Sequence, residues 1–535
     1  MITEKVGARP GSTFRVGGGA KIRLIRAAIL SARGGRPSST LSAPAYDQSP
    51  PVSLHRVDPR FVLPHPVRRA VVLDGLDGWR TGLAAAGIEV VEEGVAGVDL
   101  VVASGRDAAA AAAAGAPAVI VEGGRERPLR DVGYRTRRFL LRPTRERPTL
   151  ALPLDQPAAV SYALERWSVV DRRWKAARMQ AARALASRGR FPSWASPVVT
   201  VATRDGGPPA LVAAAGELDL PGDVGWFLTF GQGDSLSRNA FQLFRPGAAQ
   251  PEWILKFARV AGYSERFADD ERGLALAGSA GGDVARRVPR LIGRFELDGV
   301  HASLETAAAG RRLRDVLATP GGRDVKLRLI DRIGDWILEL GRRSQRPSEA
   351  LEPELERLRR EVMPGWRELA VPSDLVERLP ALPAVAQHND LGTWNVVAEG
   401  DEFVVVDWEN ARTTGLPLWD LLYFLADAFV HLDAPAVPEK LPGRVARLFA
   451  GEEPSSQLLF AWVRRAAEAT GVPFDSVGTV ATLCWLSHSL SVRTHNADLA
   501  AFTPGDPPRN HGLEGLARAW MEHPALGPRW SVWRG

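Results

Sequence analysis

The chain has 535 residues, more than one domain ordinarily holds, so two or three packed units are expected. Hydrophobic residues at 45% and charged residues at 24% match soluble globular proteins and exclude a fibrous or wholly disordered chain. The formal charge of +6 gathers largely near the start, and a single cysteine, Cys484, excludes an internal disulfide and a multi-cysteine zinc site, which suits a reducing cytoplasm.

Residues 1–67 are rich in Gly, Ser, Pro and Arg without periodicity, and a basic disordered leader is expected there. Lys5, Arg9, Arg15, Lys21, Arg23, Arg26, Arg33 and Arg36 meet few acids, but no series of aromatic side chains is interleaved as stacking platforms. A solvated tail is therefore expected in place of a nucleic-acid arm. No apolar run reaches the ~20 residues of a membrane span. The patch Ala27–Leu30 is also too short for a signal-peptide core, so the protein is expected to act inside the cell.

From Val71 the texture changes. Apolar runs at Val71–Leu73, Val90–Val91, Leu100–Val102 and Val119–Val121 alternate with alanine-rich stretches such as Asp107–Ala114, predicting a small α/β domain with a parallel sheet over 68–200, ending in a helical extension. The turn after its first strand reads DGLDGW, which lacks the glycine spacing of a dinucleotide fingerprint, so no cofactor is expected there. In the extension, Leu164, Trp167, Val170 and Trp174 share one helical face, expected to be core.

A second strand-rich zone begins near Val198, and from Leu327 helices dominate. That order predicts a two-lobed α+β body, with a strand-rich lobe over 201–308 and a helical lobe over 309–535. Within Thr229–Phe244, Gly231, Gly233, Ser235 and Ser237 lie between two strand-like runs, where a turn can bring backbone N–H groups against phosphates. Trp253–Phe257 reads as a strand carrying one basic residue, Lys256, and Phe267–Ala277 as a helix.

The most informative stretch is QHNDLGTWNVVAEGDEFVVVDWEN, Gln387–Asn410. His388, Asp390 and Asn395 stand as H-x-D-x-x-x-x-N, the spacing by which kinase catalytic loops hold a base and a metal ligand near one phosphate. Phe403–Val406 predicts a buried strand ending at Asp407, and the turn Glu399–Asp401 lets it pair with Val396–Val397. Such a hairpin returns Asp407 to Asn395. Asp390 is placed to accept the proton of an acceptor hydroxyl, while Asp407 and the Asn395 amide oxygen are hard ligands suited to magnesium. His388 is expected to brace the loop, because the base position is already taken. Asp420, just beyond Pro417, reads as a carboxylate at a helix N-terminus, with bracing of the catalytic loop as the alternative.

These segments resemble the aminoglycoside phosphotransferases and choline kinases, a branch of the protein-kinase-like fold. HNDLGTWN is similar to their catalytic loop, VVVDWEN to their metal-binding segment, and GLPLWDLLYFLA to the helix start that follows. The resemblance implies a bilobal kinase-like fold and transfer of phosphate from ATP, with Mg2+, to a small-molecule acceptor. It gives Asp390 and His388 to the catalytic loop and Asn395 and Asp407 to the metal. Lys256 resembles the family's phosphate-binding lysine, with Glu271 as its ion-pair partner and Glu265 as the rival. Leu304, Glu305 and Thr306 resemble the hinge, whose backbone would bind adenine. Asn389 in place of the arginine of H-R-D, and Trp408–Glu409 after Asp407, favour the small-molecule branch.

The sugar, amino-sugar, amino-alcohol or related acceptor is not specified by these residues. Asp420, Asp427 and Asp433 are mixed with Arg444, Arg447, Arg464 and Arg465, and the aromatics Trp419, Tyr423, Phe424 and Trp462 are expected to be core. The spacing of His488, His495 and His511 is too irregular for a metal site. Two other readings remain open: a pseudokinase-like nucleotide-binding module, and an N-terminal group-transfer domain carrying the main activity.

Overall fold

The structure, a computed structural model, describes residues 54–534 apart from 124–125, 144–147, 167–172, 187–197, 232–235, 261–264, 434–439 and 503–511. Strand β1 (Arg69–Val72) leads through α1 (Asp77–Ala85) to β2 (Glu89–Val91), and β3 (Leu100–Ser104) through α2 (Ala108–Ala113) to β4 (Ala118–Glu122). These four strands run parallel in the order β2-β1-β3-β4. The β-branched runs of β3 and β4 are buried on both faces, as parallel strands covered by helices require.

Helix α3 (Arg127–Asp131), strands β5 (Arg135–Pro143) and β6 (Pro148–Pro153) and helices α4 (Pro157–Arg166) and α5 (Arg173–Ala186) come next. Strand β7 (Val198–Thr203) then returns antiparallel between β4 and β5. After α6 (Ala210–Ala215), an antiparallel set is formed by β8 (Gly225–Thr229), β9 (Asn239–Phe244), β10 (Trp253–Phe257), β11 (Leu291–Leu297) and β12 (Val300–Thr306). Helices α7 (Glu265–Ser279) and α8 (Gly282–Arg286) separate β10 from β11.

The sheet does not stop between the two predicted units. Strand β6 pairs with β8 through Leu150 opposite Thr229 and Ala151 opposite Leu228, so twelve strands form one sheet in the order β11-β12-β10-β9-β8-β6-β5-β7-β4-β3-β1-β2. The boundary expected at 200/201 falls inside β7, which belongs with β4 and β5. One core runs along a face of this sheet, from Leu100 and Ile120 at one end to Phe241, Leu255 and Leu304 at the other. On the opposite face α4 covers the joint, burying Tyr162 and Leu164 with Leu140, Leu152, Phe227 and Phe244. Of the helical face predicted from Leu164 to Trp174, the side chains of Trp167, Val170 and Trp174 lie outside the described residues. At its end α4 reaches the helical half, where Arg166 pairs with Glu399.

The leader reading is corrected at its end. Residues 1–53 lie outside the described residues, but Leu54–Val62 form a 3-10 helix that enters the core. Phe61 packs edge-on against Phe257 with ring centroids 4.8 Å apart, and the buried carboxylate of Asp58 meets the buried Arg259 guanidinium at 2.8 Å. Composition averaged over 67 residues hid a short run, Phe61–Leu63, that has enough apolar surface to order itself.

The helical half starts with β13 (Arg311–Arg312), α9 (Leu313–Ala318), α10 (Arg323–Ser344) and α11 (Glu352–Arg357). Helix α10 buries Leu329, Ile330, Ile333, Trp336, Ile337 and Leu340, a spacing of three and four that marks one helical face. Strands β14 (Val385–Gln387), β15 (Val396–Glu399), β16 (Glu402–Val405) and β17 (Arg412–Gly415) precede α12 (Trp419–Asp433), which is buried on all sides over Trp419–Val430. Helices α13 (Leu441–Ala450), α14 (Ser456–Thr470), α15 (Val477–Phe502) and α16 (Glu514–Glu522) surround it. No helix among the described residues is long and apolar enough to cross a membrane.

The Asp58–Arg259 pair yields a stability prediction. Asp58→Ala strands a buried guanidinium and is expected to destabilise the chain by about 3–5 kcal/mol. The double variant Asp58→Leu/Arg259→Met removes both charges and should lose less, as read from denaturant midpoints.

Candidate active site

Strand β14 delivers His388 to a loop whose backbone is held from α12. The Asp420 carboxylate accepts the N–H of His388 at 2.6 Å and that of Asn389 at 2.8 Å. Asn389 takes φ +62°, a left-handed conformation that asparagine tolerates better than most side chains. Both readings of Asp420 hold: it lies in the first turn of α12, and from there it braces the loop. Burial pushes its carboxyl up to about 6, against the two amide hydrogen bonds that favour the anion.

His388 is wholly buried, and burial lowers its pKa to about 4. The ring is neutral at ordinary pH, with both nitrogens engaged by backbone. Nε2–H donates to the Val406 carbonyl at 3.0 Å, and Nδ1 accepts the Asp390 N–H at 3.3 Å. The ring also lies 4.6 Å from that of Trp408. These contacts brace the loop and leave neither ring nitrogen for proton transfer. Asp390 is fixed by Asn395, whose Nδ2 donates to the Asp390 carbonyl at 2.8 Å and to Oδ2 at 3.1 Å. The Tyr423 hydroxyl lies 3.5 Å from Asp390 Oδ1, and His488 stacks on the Tyr423 ring at 4.1 Å.

The predicted hairpin forms, with Val396 opposite Val405 and Glu399 opposite Glu402. The Val406 N–H donates to the Asn395 carbonyl at 2.9 Å, so Asp407 emerges beside the catalytic loop. Asp407 itself sits at φ +71° and starts the short turn Trp408–Asn410. Glu409 is mostly buried, pairing with Arg266 and Arg238, each at 2.9 Å.

Lys256 projects from β10 away from the core residues Trp253, Leu255 and Phe257. Its Nζ meets Asp270 Oδ2 at 2.8 Å and Glu305 Oε1 at 2.9 Å. Burial alone would lower the ammonium, but Asp270 and Glu305 outweigh it and hold it above its ordinary value. Glu271 is therefore not the partner: it lies half-exposed on α7 and pairs with Arg294 at 2.9 Å. One residue along a helix is a rotation of about 100°, which carries a side chain from one face to another. Glu265 opens α7, more than one turn from Asp270.

Glu305 also departs from expectation. Its backbone lies in the ladder between Ile254 and Leu291, and the next two amides, of Thr306 and Ala307, donate to the Arg290 and Glu252 carbonyls. The first backbone beyond the ladder is Ala308–Gly310, while the Glu305 side chain faces Lys256. In the glycine-serine turn, the Gly231 N–H donates to Asn239 Oδ1 at 3.0 Å, and a Cβ there would come within 2.6 Å of Ser237. Gly233 and Ser235 lie outside the described residues.

Arg238, at the start of β9, had drawn no attention in the sequence. Its Nη1 donates to Asp270 Oδ2 at 2.8 Å, and its Nη2 meets both Asp407 Oδ1 and Glu409 Oε2. Burial would lower this guanidinium, but Glu409, Asp270 and Asp407 together raise it well above its ordinary value. Asp270 has a second task, accepting the Trp408 N–H on Oδ1 at 2.9 Å.

The acids weighed for an acceptor pocket are committed elsewhere. Asp420 braces the loop, Asp427 holds the Thr393 amide and His431, and Asp433 holds Ser455 and Arg323. Trp419, Phe424 and Trp462 are core, as expected. His495 contacts Arg266 at 3.0 Å, and His511 lies outside the described residues.

With this geometry in place, sequence comparison is decisive for the central part of the chain: residues 237–467 match the model of the phosphotransferase enzyme family, APH. The match spans the strand lysine Lys256, the loop carrying Asp390 and Asn395, and Asp407. The chain is also similar in structure to a Ralstonia eutropha JMP134 protein provisionally assigned as an aminoglycoside phosphotransferase, at 15% identity and TM-score 0.39, over 61% of this chain and 96% of that one. A type VIII aminoglycoside-3'-phosphotransferase follows at 18% identity and TM-score 0.29, over 44% and 88%. WbdD follows at 13% and 0.26, over 76% and 84%. None of the curated proteins matches the chain.

The loop that carries Asp390 and its surroundings give two predictions. Asp420→Ala leaves the buried His388 amide and the half-buried Asn389 amide without acceptors and should destabilise by about 2–4 kcal/mol, measured by thermal or chemical unfolding. Burial lowers the His488 pKa to about 3 in the fold, with Arg412 and Arg357 acting in the same direction. An unfolded histidine takes up its proton near 6.5. Its neutral form is therefore favoured by the fold, a contribution complete above about pH 6.5 and lost as pH falls. The stability difference between wild type and His488→Gln should be flat above that pH and shrink by about 1.4 kcal/mol per unit below it.

Proposed function

We propose that the chain moves the γ-phosphoryl group of ATP to a hydroxyl of a small molecule of the sugar, amino-sugar or amino-alcohol kind. The observation that carries this reading is the double use of Asp270. One oxygen holds Lys256 and the other holds the Trp408 N–H, so the strand lysine and the segment after Asp407 share a single buried carboxylate. Phosphoryl transfer depends on such convergence, because positioning and charge neutralisation supply most of the acceleration.

Asp390 would accept the proton of the acceptor hydroxyl as its oxygen attacks phosphorus. Its carboxylate is already oriented by Asn395. Lys256 would hold the phosphates, and Ala308–Gly310 would offer backbone groups to the base of the nucleotide. The residues fit magnesium: Asp407 presents a partly exposed carboxylate, and the Asn395 amide spends its nitrogen on Asp390, leaving the oxygen as the ligand end. Bound magnesium would neutralise phosphate charge. The commitment of Asp420, Asp427 and Asp433 to structural contacts weighs against a polycationic acceptor held by those acids. A cytoplasmic site of action fits the single, buried Cys484.

A second reading, a catalytically weak nucleotide-binding module, is favoured by one observation, the Arg238 guanidinium on Asp407. ATP consumption with pooled hydroxyl-bearing metabolites separates the two. Acceptor-dependent turnover is expected, falling about 10³-fold in Asp390→Asn and at least as far in Asp407→Asn. Equal rates in all three proteins would defeat the phosphotransfer reading.

A further inference from the structure

Four carboxylates, of Asp270, Glu305, Asp407 and Glu409, gather around Lys256, Arg238 and Arg266. Three of the four acids are deeply placed, with side chains 2–11% exposed. Asp407 differs, at 39%. It is also the carboxylate best suited to a metal, and it is held by the guanidinium of Arg238.

Arg238 is gripped unevenly. Its Nη1 is tied to Asp270 in the interior, and its Nη2 divides between the buried Glu409 and the outer Asp407. A planar fork with several donors can release one acceptor and keep two. The outermost contact is the one most weakened by solvent. A divalent cation at Asp407 would stand beside this fixed positive charge, and like charges at such range oppose each other strongly.

Resting on the phosphotransferase reading, we propose that Arg238 is a tethered counter-ion that sets the metal affinity of Asp407. It occupies the carboxylate until a divalent cation competes for it, and it then stays anchored to Asp270 and Glu409. The geometry explains how so many acids are tolerated together: Arg238 supplies the charge that keeps the cluster assembled, at the expense of metal binding in the absence of nucleotide. Arg238 is thus a positioning residue, acting through Asp407.

The test uses the full-length chain and Mn2+ alone, with free Mn2+ measured by electron paramagnetic resonance. Arg238→Gln should bind Mn2+ about tenfold more tightly than wild type, because a repelling unit charge has gone. A purely structural role would predict the opposite, since a disordered cluster binds metal less well. Adding Asp407→Asn to Arg238→Gln should abolish the gain. If Arg238→Gln binds Mn2+ no better than wild type while binding still depends on Asp407, the inference about Arg238 fails and the phosphotransferase reading stands. If Asp407→Asn leaves Mn2+ binding unchanged, the metal assignment falls as well. Should Arg238→Gln not fold, Arg238→Met decides by the same comparison: it too removes the charge, so a similar gain is expected, and no gain overturns the proposal.

Discussion

The buried carboxylate of Asp270 is the constraint on which the site depends. It sits on α7, yet its partners come from three other places: Lys256 on β10, Arg238 at the start of β9, and the Trp408 amide in the turn after β16. A carboxylate in the interior is tolerable only when its oxygens are satisfied and its charge is opposed. The charge is opposed within the strand lobe, but the second oxygen is satisfied by Trp408 only when strand lobe and helical half are docked. Packing of α7 against that turn has its own steric signature, since a Cβ on Gly273 would come within 2.2 Å of the Trp408 carbonyl. Charge pairing and close approach therefore impose the same arrangement.

The catalytic loop is built on a different principle. Asn395, His388 and Asp420 each satisfy backbone groups of the segment that carries Asp390, so that residue, the proposed base, is held from several directions. His388 links this loop to the strand end through the Val406 carbonyl, and Trp408 covers its ring. Neutrality of the imidazole follows from burial, which keeps the contacts of His388 unchanged near neutrality, whereas the Asp420 carboxyl beside it, pushed up to about 6, is the part of the brace that responds to mild acid.

What was readable in the sequence was what is local. The run from Gln387 to Asn410 contains a turn, two strands and their polar side chains within 24 residues, so spacing alone brings Asn395 and Asp407 together. The basic residue on a buried strand was likewise visible, because alternation shows which face Lys256 occupies. Its partner was not. Asp270 and Glu271 are adjacent acids on one helix, and only the rotation of α7 against the sheet decides between them. Arg238 is one arginine among many in a basic chain, and its burial depends on contacts up to 171 residues away in the sequence. The 3-10 helix at Leu54–Val62 was lost for another reason: nine residues cannot dominate the composition of a leader seven times longer. The joint between β6 and β8 leaves no sequence mark, since either strand would read the same with a free edge.

That joint alters the mechanics of the cleft. A small lobe joined to its neighbour only by a linker can tilt as an independent flap, but β8 is laced into a twelve-stranded plate, and α4 is bolted across the seam and onto Glu399 beyond it. Tilting that lobe would have to drag the plate along or tear two rungs of hydrogen bonding at Leu150 and Ala151. The lobe therefore belongs mechanically to the plate, and the Arg166 bridge ties that plate to the helical half at Glu399.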